Sequence, residues 1–121
     1  MANIAVLGYG TVGSGVVEVL NTNKDRINSK SYEPINIKYV LDLRDFPGDP
    51  VQEIITHDYN DILNDNTIDV VVEVMGGINP AYTFVKQALE SGKSVCTSNK
   101  ELVAAHGGEL MALAKEYNVN F

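Results

Sequence analysis

The fold is decided by the stretch NIAVLGYGTVGSGVV, residues 3–17. Its first part, residues 3–7, is a short apolar run typical of a buried strand, and a glycine-rich turn at residues 8–13 follows at once. Beyond the turn, apolar residues recur with the spacing of one helical face: Val12, Val16, Val19 and Leu20. The stretch therefore predicts a strand, a glycine turn and a helix.

The glycine turn has the spacing Gly-x-Gly-x-x-Gly, and each glycine in it has its own physical reason. Gly8 permits the tight turn, Gly10 lets a pyrophosphate approach a backbone that carries no Cβ, and Gly13 lets the helix pack close to the strand. The N–H groups of Thr11 and Val12 would then point at the phosphates, helped by the helix dipole. The motif predicts dinucleotide binding. The alternative is a glycine turn required only for packing.

Strand-like and helix-like segments alternate along the rest of the chain. This alternation predicts an α/β fold of the Rossmann type, a doubly wound parallel sheet with helices on both faces, formed as one domain by residues 1–121. The further strands are predicted at 35–41, at 68–75, at 94–97 and, after a helical turn opened by Pro50, in a short segment ending at Thr56. The further helices are predicted from an Asp58 cap to residue 63, from Pro80 to a stop at Gly92, and over 100–117 with an interruption at Gly107 and Gly108. We also predict a helix tail and surface loop at 24–34 and the start of one more strand at 119–121.

Composition excludes several classes of function. The formal net charge is −7 and the pI about 4.6, which argues against nucleic acids and anionic membranes as partners. No apolar run approaches the roughly 18 residues of a membrane span, and no signal peptide is recognisable. A reducing cytoplasm is the expected location.

The metal-binding and redox residues are few. The single cysteine, Cys96, lies in an apolar run and is predicted to be a small buried core residue. The two histidines, His57 and His106, are far apart and lack the spacing of metal ligands, so no metal site is expected.

Two charged residues follow the second predicted strand, where Rossmann domains often bind the adenosine ribose. Asp42 would hydrogen-bond the ribose 2′-OH and repel the 2′-phosphate of NADP, which favours NAD. Arg44 could instead accept that phosphate, and both residues could also be solvated loop charges. We expect NAD or NADP as cofactor, with NAD preferred.

Two further strand ends carry candidate site residues. Gly76 and Gly77 would let a nicotinamide ribose lie close to the backbone, while Glu73 either points into the crevice or is satisfied by backbone N–H groups. Beside them we expect a polar cluster, Thr97, Ser98, Asn99 and Lys100. A lysine there could neutralise a developing alkoxide or pass a proton, although a lone lysine at a helix start can also be a surface charge.

Three segments together resemble the amino-terminal nucleotide-binding domain of homoserine dehydrogenase: GYGTVGSGVV (8–17), IDVVVEVMGGINPA (68–81) and SVCTSNKELVAAHGGEL (94–110). The family's commoner form has alanine where Ser98 stands. The resemblance implies an enzyme that interconverts L-homoserine and L-aspartate 4-semialdehyde with NAD(P), on the route to threonine, methionine and isoleucine. It implies that Gly8, Gly10, Thr11, Val12 and Gly13 hold the pyrophosphate, that Met75, Gly76 and Gly77 line the nicotinamide side, and that Lys100 is the active-site lysine.

The resemblance also implies a longer parent protein. Residue 121 precedes the family's substrate and dimerisation domain, so this chain is expected to bind cofactor without turnover and the parent to be a homo-oligomer. Two alternatives stay open: another nicotinamide enzyme, such as an aspartate dehydrogenase or a semialdehyde dehydrogenase with Cys96 as nucleophile, and a non-catalytic NAD(H) sensor.

Overall fold

The structure, a computed structural model, describes residues 2–22 and 35–121. The helix tail and loop predicted at 24–34 lie outside the described residues. Within them the elements run in the order β1 (Ala2–Leu7), α1 (Thr11–Thr22), β2 (Ile35–Leu41), a 3₁₀ helix (Pro50–Ile54), β3 (Ile55–Thr56), α2 (Asn60–Leu63), β4 (Ile68–Glu73), α3 (Ala81–Glu90), β5 (Ser94–Thr97) and α4 (Lys100–Glu116).

The strands form one parallel sheet in the order β3-β2-β1-β4-β5. Its register places Leu7 beside both Leu41 and Glu73, and Glu73 beside Thr97. The carboxyl ends of four strands therefore meet at one edge, and the residues that follow them share one crevice. The strand order changes direction between β1 and β4, and this is the topological switch point at which open α/β sheets bind ligands.

Helices cover both faces of the sheet, as predicted. On one face α3 and α4 pack against alternate strand residues, with Leu7, Val71, Val85, Leu89 and Leu102 all fully buried. On the other face Val6 and Val40 pack against Val17 of α1 and Val51 of the 3₁₀ helix. Since neighbouring residues of a strand point to opposite faces, strands covered on both sides need the continuous apolar runs seen in β1 and β4.

Three predictions near the carboxyl terminus need correction. Helix α4 is continuous through Gly107 and Gly108, because Gly107 is buried in a helix whose Leu102 and Leu110 pack into the core, and this tertiary packing outweighs the low helix propensity of glycine. Residues 119–121 do not form a strand, although Val95 N–H donates to the Asn120 carbonyl at 2.9 Å. Cys96 is exposed rather than buried, since alternation along β5 turns Val95 to the helix-covered face and Cys96 to the other.

The short elements lie close to their predicted positions. The N-cap of α2 is Tyr59 rather than the predicted Asp58, although the Asp58 carboxylate accepts from the Asn60 N–H at 2.9 Å. Pro50 opens the 3₁₀ helix as predicted. Pro80 lies directly before α3, and β4 ends two residues earlier than predicted, at Glu73. In the described parts of the chain, no helix is long and apolar enough to cross a membrane.

Candidate functional site

The glycine loop (residues 8–13) joins β1 to α1 at the centre of the sheet edge. Gly8 has φ +103°, which side-chain-bearing residues rarely adopt, and its N–H donates to the Leu41 carbonyl at 2.7 Å. A Cβ built on Gly13 would lie 2.0 Å from the Gly8 carbonyl oxygen, so only glycine lets α1 begin this close to β1. A Cβ built on Gly10 meets no described atom within 4 Å and would project into open space.

The first turn of α1 faces the same opening. Thr11 and Val12 are exposed there, with 53% of the Val12 surface accessible. The N–H groups of a first helical turn lack intrahelical acceptors and carry the positive end of the helix dipole. The loop and the helix start are therefore suited to a bound phosphate group.

Tyr9 ties the glycine loop to the segment after β2. Its N–H donates to Asp42 Oδ2 and its hydroxyl to Asp49 Oδ2, both at 3.0 Å, and its ring contacts Phe46 edge-on with centroids 4.8 Å apart. Tyr9 and Asp49 have no distinguishing signal in the sequence, because one is a variable position inside a glycine motif and the other an acid in a polar loop.

Asp42 and Arg44 lie together at the end of β2, as the sequence predicted. Asp42 Oδ1 accepts from the Arg44 backbone N–H at 2.9 Å and from Nε at 3.0 Å, while Oδ2 accepts from Nη2 and from the Tyr9 N–H, both at 3.0 Å. The hydrogen bonds from the Arg44 side chain, helped by the two backbone N–H groups, lower the pKa of Asp42 to about 2. A carboxylate has roughly four acceptor positions, so those of Asp42 are filled.

A cavity of about 450 Å³ opens beside this pair. Gly8 and Met75 border it on one side and Asp42, Arg44 and His57 on another. Its floor is aromatic, because Tyr59 and Phe84 stack at 4.2 Å between centroids and the Tyr59 hydroxyl donates to the Phe84 carbonyl at 2.6 Å. Burial raises the pKa of Tyr59 and keeps it neutral. An apolar slot with polar groups at its mouth suits a flat base. These aromatic residues come from separate elements and had no sequence signal.

The Gly76 loop (residues 75–77) follows β4 on the other side of the glycine loop. Gly76 and Gly77 have φ of +79° and +73°. Glu73 is fully buried at the end of β4, and its Oε2 accepts from the Met75 N–H at 2.8 Å and the Gly76 N–H at 3.4 Å. Of the two alternatives drawn from the sequence, the structure shows the second, in which backbone N–H groups satisfy the carboxylate.

The lysine segment (residues 97–100) follows β5 beside the Gly76 loop. The Asn99 side-chain amide donates to the Gly77 carbonyl, while its oxygen accepts from the Leu102 N–H at 3.0 Å and caps α4. Lys100 is the first residue of α4 and is exposed. Thr97, Ser98, Asn99 and Lys100 border a shallow cavity of about 560 Å³. The predicted site residues thus lie along one edge of the sheet, from the aromatic cavity to Lys100.

The remaining titratable residues do not form a metal centre within residues 2–22 and 35–121. His57 pairs with Asp45 at 2.9 Å at the mouth of the aromatic cavity. His106 pairs with Glu109 at 3.2 Å and stacks on Tyr82 between α3 and α4.

Comparison with known proteins agrees with this geometry. Residues 8–121 match the family model described as homoserine dehydrogenase, NAD binding domain. The chain belongs to this family. It is 40% identical to the homoserine dehydrogenase of Lactococcus lactis, covering 97% of this chain and 28% of that protein, and 39% identical to that of Bacillus subtilis. It superposes on a crystal structure of Staphylococcus aureus homoserine dehydrogenase with a TM-score of 0.90 and 42% identity, covering 98% of this chain and 31% of that one.

The family assignment confirms the resemblance and the α/β fold predicted from the sequence. A nicotinamide dinucleotide is the cofactor class of the family. The chain spans about 28% of the length of the first relatives it matches.

Proposed function

We propose that residues 1–121 are the NAD(P)-binding domain of a homoserine dehydrogenase whose longer form interconverts L-homoserine and L-aspartate 4-semialdehyde. The observation that carries this proposal is the order of groups along one sheet edge. An aromatic slot, the glycine loop, the Gly76 loop and a lysine follow one another as the parts of a dinucleotide do. The proposed substrate follows from the family to which the chain belongs.

The pyrophosphate would lie on the glycine loop, held by Gly8, Gly10, Thr11, Val12 and Gly13. The fit is steric as well as electrostatic. The open space in front of Gly10 is the volume that a Cβ would occupy, and the first turn of α1, whose N–H groups lack intrahelical acceptors, follows directly. The two glycines are therefore required for different reasons: Gly13 for helix packing and Gly10 for space for the ligand.

The adenosine would occupy the aromatic cavity with its ribose at Asp42 and Arg44. Because the Asp42 acceptor positions are filled, a hydroxyl of NAD could reach this carboxylate only after Arg44 moves away. Arg44 is 64% exposed and keeps donors free to meet a 2′-phosphate in its present position. We therefore revise the preference drawn from the sequence: NADP binds at least as tightly as NAD.

The nicotinamide would lie over Met75, Gly76 and Gly77, near the lysine segment. When bound there, the nicotinamide would supply the hydride chemistry at homoserine C4. Among the described residues no hydrogen bond or ion pair engages the Lys100 ammonium, so its charge is available to stabilise an alkoxide developing on the substrate oxygen. We place the homoserine-binding groups and the homo-oligomer contacts in the longer protein, so this chain alone binds cofactor without turnover.

Calorimetric titration of the chain with NADPH and with NADH tests the proposal. We expect both to bind the wild-type chain and neither to bind Gly10→Ala, whose methyl group fills the pyrophosphate space without touching the protein. Gly15→Ala is the matched control, because its Cβ also meets no described atom within 4 Å but lies one turn further along α1. Binding by Gly10→Ala at wild-type affinity would contradict the placement of the pyrophosphate.

A further inference from the structure

Glu73 is a fully buried carboxylate in a strand that is otherwise apolar. Burying such a group is costly unless its oxygens are hydrogen-bonded. Here Oε2 accepts from the Met75 and Gly76 N–H groups, and Oε1 accepts from the Thr97 hydroxyl at 2.7 Å. The two oxygens thus bind two different segments, the Gly76 loop and the lysine segment.

The contacts continue into a closed ring. The Thr97 hydroxyl oxygen also accepts from the Asn99 N–H at 3.0 Å, and the Asn99 side chain returns to the Gly77 carbonyl. The ring therefore runs from Glu73 through the Gly76 loop to Asn99 and Thr97 and back. Since Asn99 caps α4 and Lys100 follows it directly, the ring fixes where α4 begins relative to the Gly76 loop.

We propose that Glu73 is a positioning residue that holds the Gly76 loop and the lysine segment in register, so that the nicotinamide and Lys100 meet. The inference rests on the proposed function, because it assigns the ring to the nicotinamide end of the cofactor. An apolar side chain would fill the same space at a lower burial cost. A carboxylate accepts from backbone N–H groups with one oxygen and from a hydroxyl with the other, which no apolar side chain can do.

Within the described chain, the hydrogen bonds of the ring do not reach Asp42 or the glycine loop, although Met75 of the Gly76 loop also borders the aromatic cavity. Among the described residues, the Glu73 carboxylate has no hydrogen bond to the glycine loop or to Asp42. Loss of the carboxylate should therefore weaken binding of the nicotinamide part of the cofactor and spare the adenosine diphosphate part. A side chain needed only for the fold would weaken both parts equally.

The test compares NADH with ADP-ribose, which lacks the nicotinamide, by calorimetry on this chain. For Glu73→Met we expect NADH affinity to fall about tenfold while ADP-ribose affinity changes by less than about twofold. Glu73→Gln should lie between, since its amide oxygen still accepts from the Met75 N–H and its NH₂ group can donate to the Thr97 hydroxyl. Equal losses for both ligands, or no loss for either, would overturn the inference.

Two further variants distinguish a selective loss of NADH binding from a general loss of stability. Thr97→Val removes the hydroxyl between Glu73 and Asn99 with little change of shape, and we expect the same selective loss of NADH binding. Asp65→Asn breaks an ion pair with Lys38 (2.6 Å) before the amino end of β4, far from the crevice, so it should lower stability and leave the ratio of the two affinities unchanged. A changed ratio in Asp65→Asn would refute the selectivity.

The two hypotheses fail in different ways. A wild-type chain that binds neither ligand, or binds NADH no tighter than ADP-ribose, refutes the assignment of the crevice and this inference with it. A wild-type chain that binds NADH more tightly, with variants that lose both ligands in parallel, refutes the role of Glu73 alone.

Discussion

Gly13→Ala tests the packing on which the whole crevice depends. The added Cβ would lie 2.0 Å from the Gly8 carbonyl oxygen and 2.8 Å from its carbon, about 1 Å short of the 3.0 Å that real Cβ atoms keep. The obstacle is backbone, which cannot rotate away, so α1 or the glycine loop must move. Overpacking typically costs about 1–3 kcal/mol, and we expect the upper end here, about 3 kcal/mol of the roughly 5–15 kcal/mol that stabilise a domain.

Gly15→Ala, two residues further along α1, provides the matched control. Its Cβ meets no described atom within 4 Å, and alanine in a helix interior is about 0.5–1 kcal/mol more favourable than glycine. One methyl group should therefore destabilise the chain at position 13 and stabilise it at position 15. For a chain of this size we expect the melting temperature to fall by about 10 °C and to rise by about 2–4 °C, respectively.

Urea unfolding followed by far-ultraviolet circular dichroism measures both variants, and calorimetry with NADPH measures binding. Gly13→Ala should lose cofactor affinity together with stability, because the displaced loop carries the proposed pyrophosphate site. Gly10→Ala should lose affinity with stability changed by less than about 1 kcal/mol, as expected for alanine at a helix cap. Gly13→Ala with wild-type stability would refute the close contact between α1 and the Gly8 carbonyl.

The remaining predictions concern single side chains. Arg44→Ala should lower NADPH affinity about tenfold or more and leave NADH affinity unchanged or improved, as measured by calorimetry. An equal loss of affinity for both cofactors would refute a contact between Arg44 and the 2′-phosphate. Because the Asp42 pKa is lowered from 3.8 to about 2, its stabilisation should be full above pH 3.8 and lost as pH falls through about 2, so urea midpoints of wild type and Asp42→Asn should converge over that window. Lys100→Met should raise the stability of this chain by a few tenths of a kcal/mol, since a cation at a helix amino terminus opposes the dipole, and lower turnover of the longer protein about 100-fold. Cys96 should react with iodoacetamide about as fast in the native chain as in urea, because it is exposed; strong native protection would contradict its position on β5.

The parts of the fold that the sequence predicted are those in which one residue type answers one local steric demand. Gly8 is required because its φ is positive. Gly13 is required because any Cβ at that position would lie 2.0 Å from the Gly8 carbonyl oxygen. The continuous apolar run of β4 indicates burial on both faces, which in turn implies a parallel sheet and a shared edge for the strand ends. Local pattern and global fold agree there, so motif and topology could be read together.

The predictions that failed depended on neighbours that sequence pattern does not show. A glycine pair suggests a helix break, but Gly107 is buried in a helix whose Leu102 and Leu110 pack into the core. An apolar run suggests a buried cysteine, yet alternation in a strand at the edge of the described sheet leaves Cys96 outside. In both cases the deciding contact comes from a residue outside the local pattern or from the other face of the sheet.

The candidate site also has one part that local sequence pattern indicates and two parts that depend on contacts formed only in three dimensions. In the proposed function, backbone groups would bind the centre of the cofactor, so glycine spacing indicates that part of the crevice in the sequence. The two ends depend on side chains that first meet in three dimensions: Asp42 is occupied by Arg44 and Tyr9 at one end, and Glu73 joins two loops at the other. An acid after β2 therefore does not by itself indicate NAD, because its meaning depends on whether its acceptor positions are free. Likewise, an acid inside an apolar strand is not by itself catalytic, because buried hydrogen-bond donors can account for it completely.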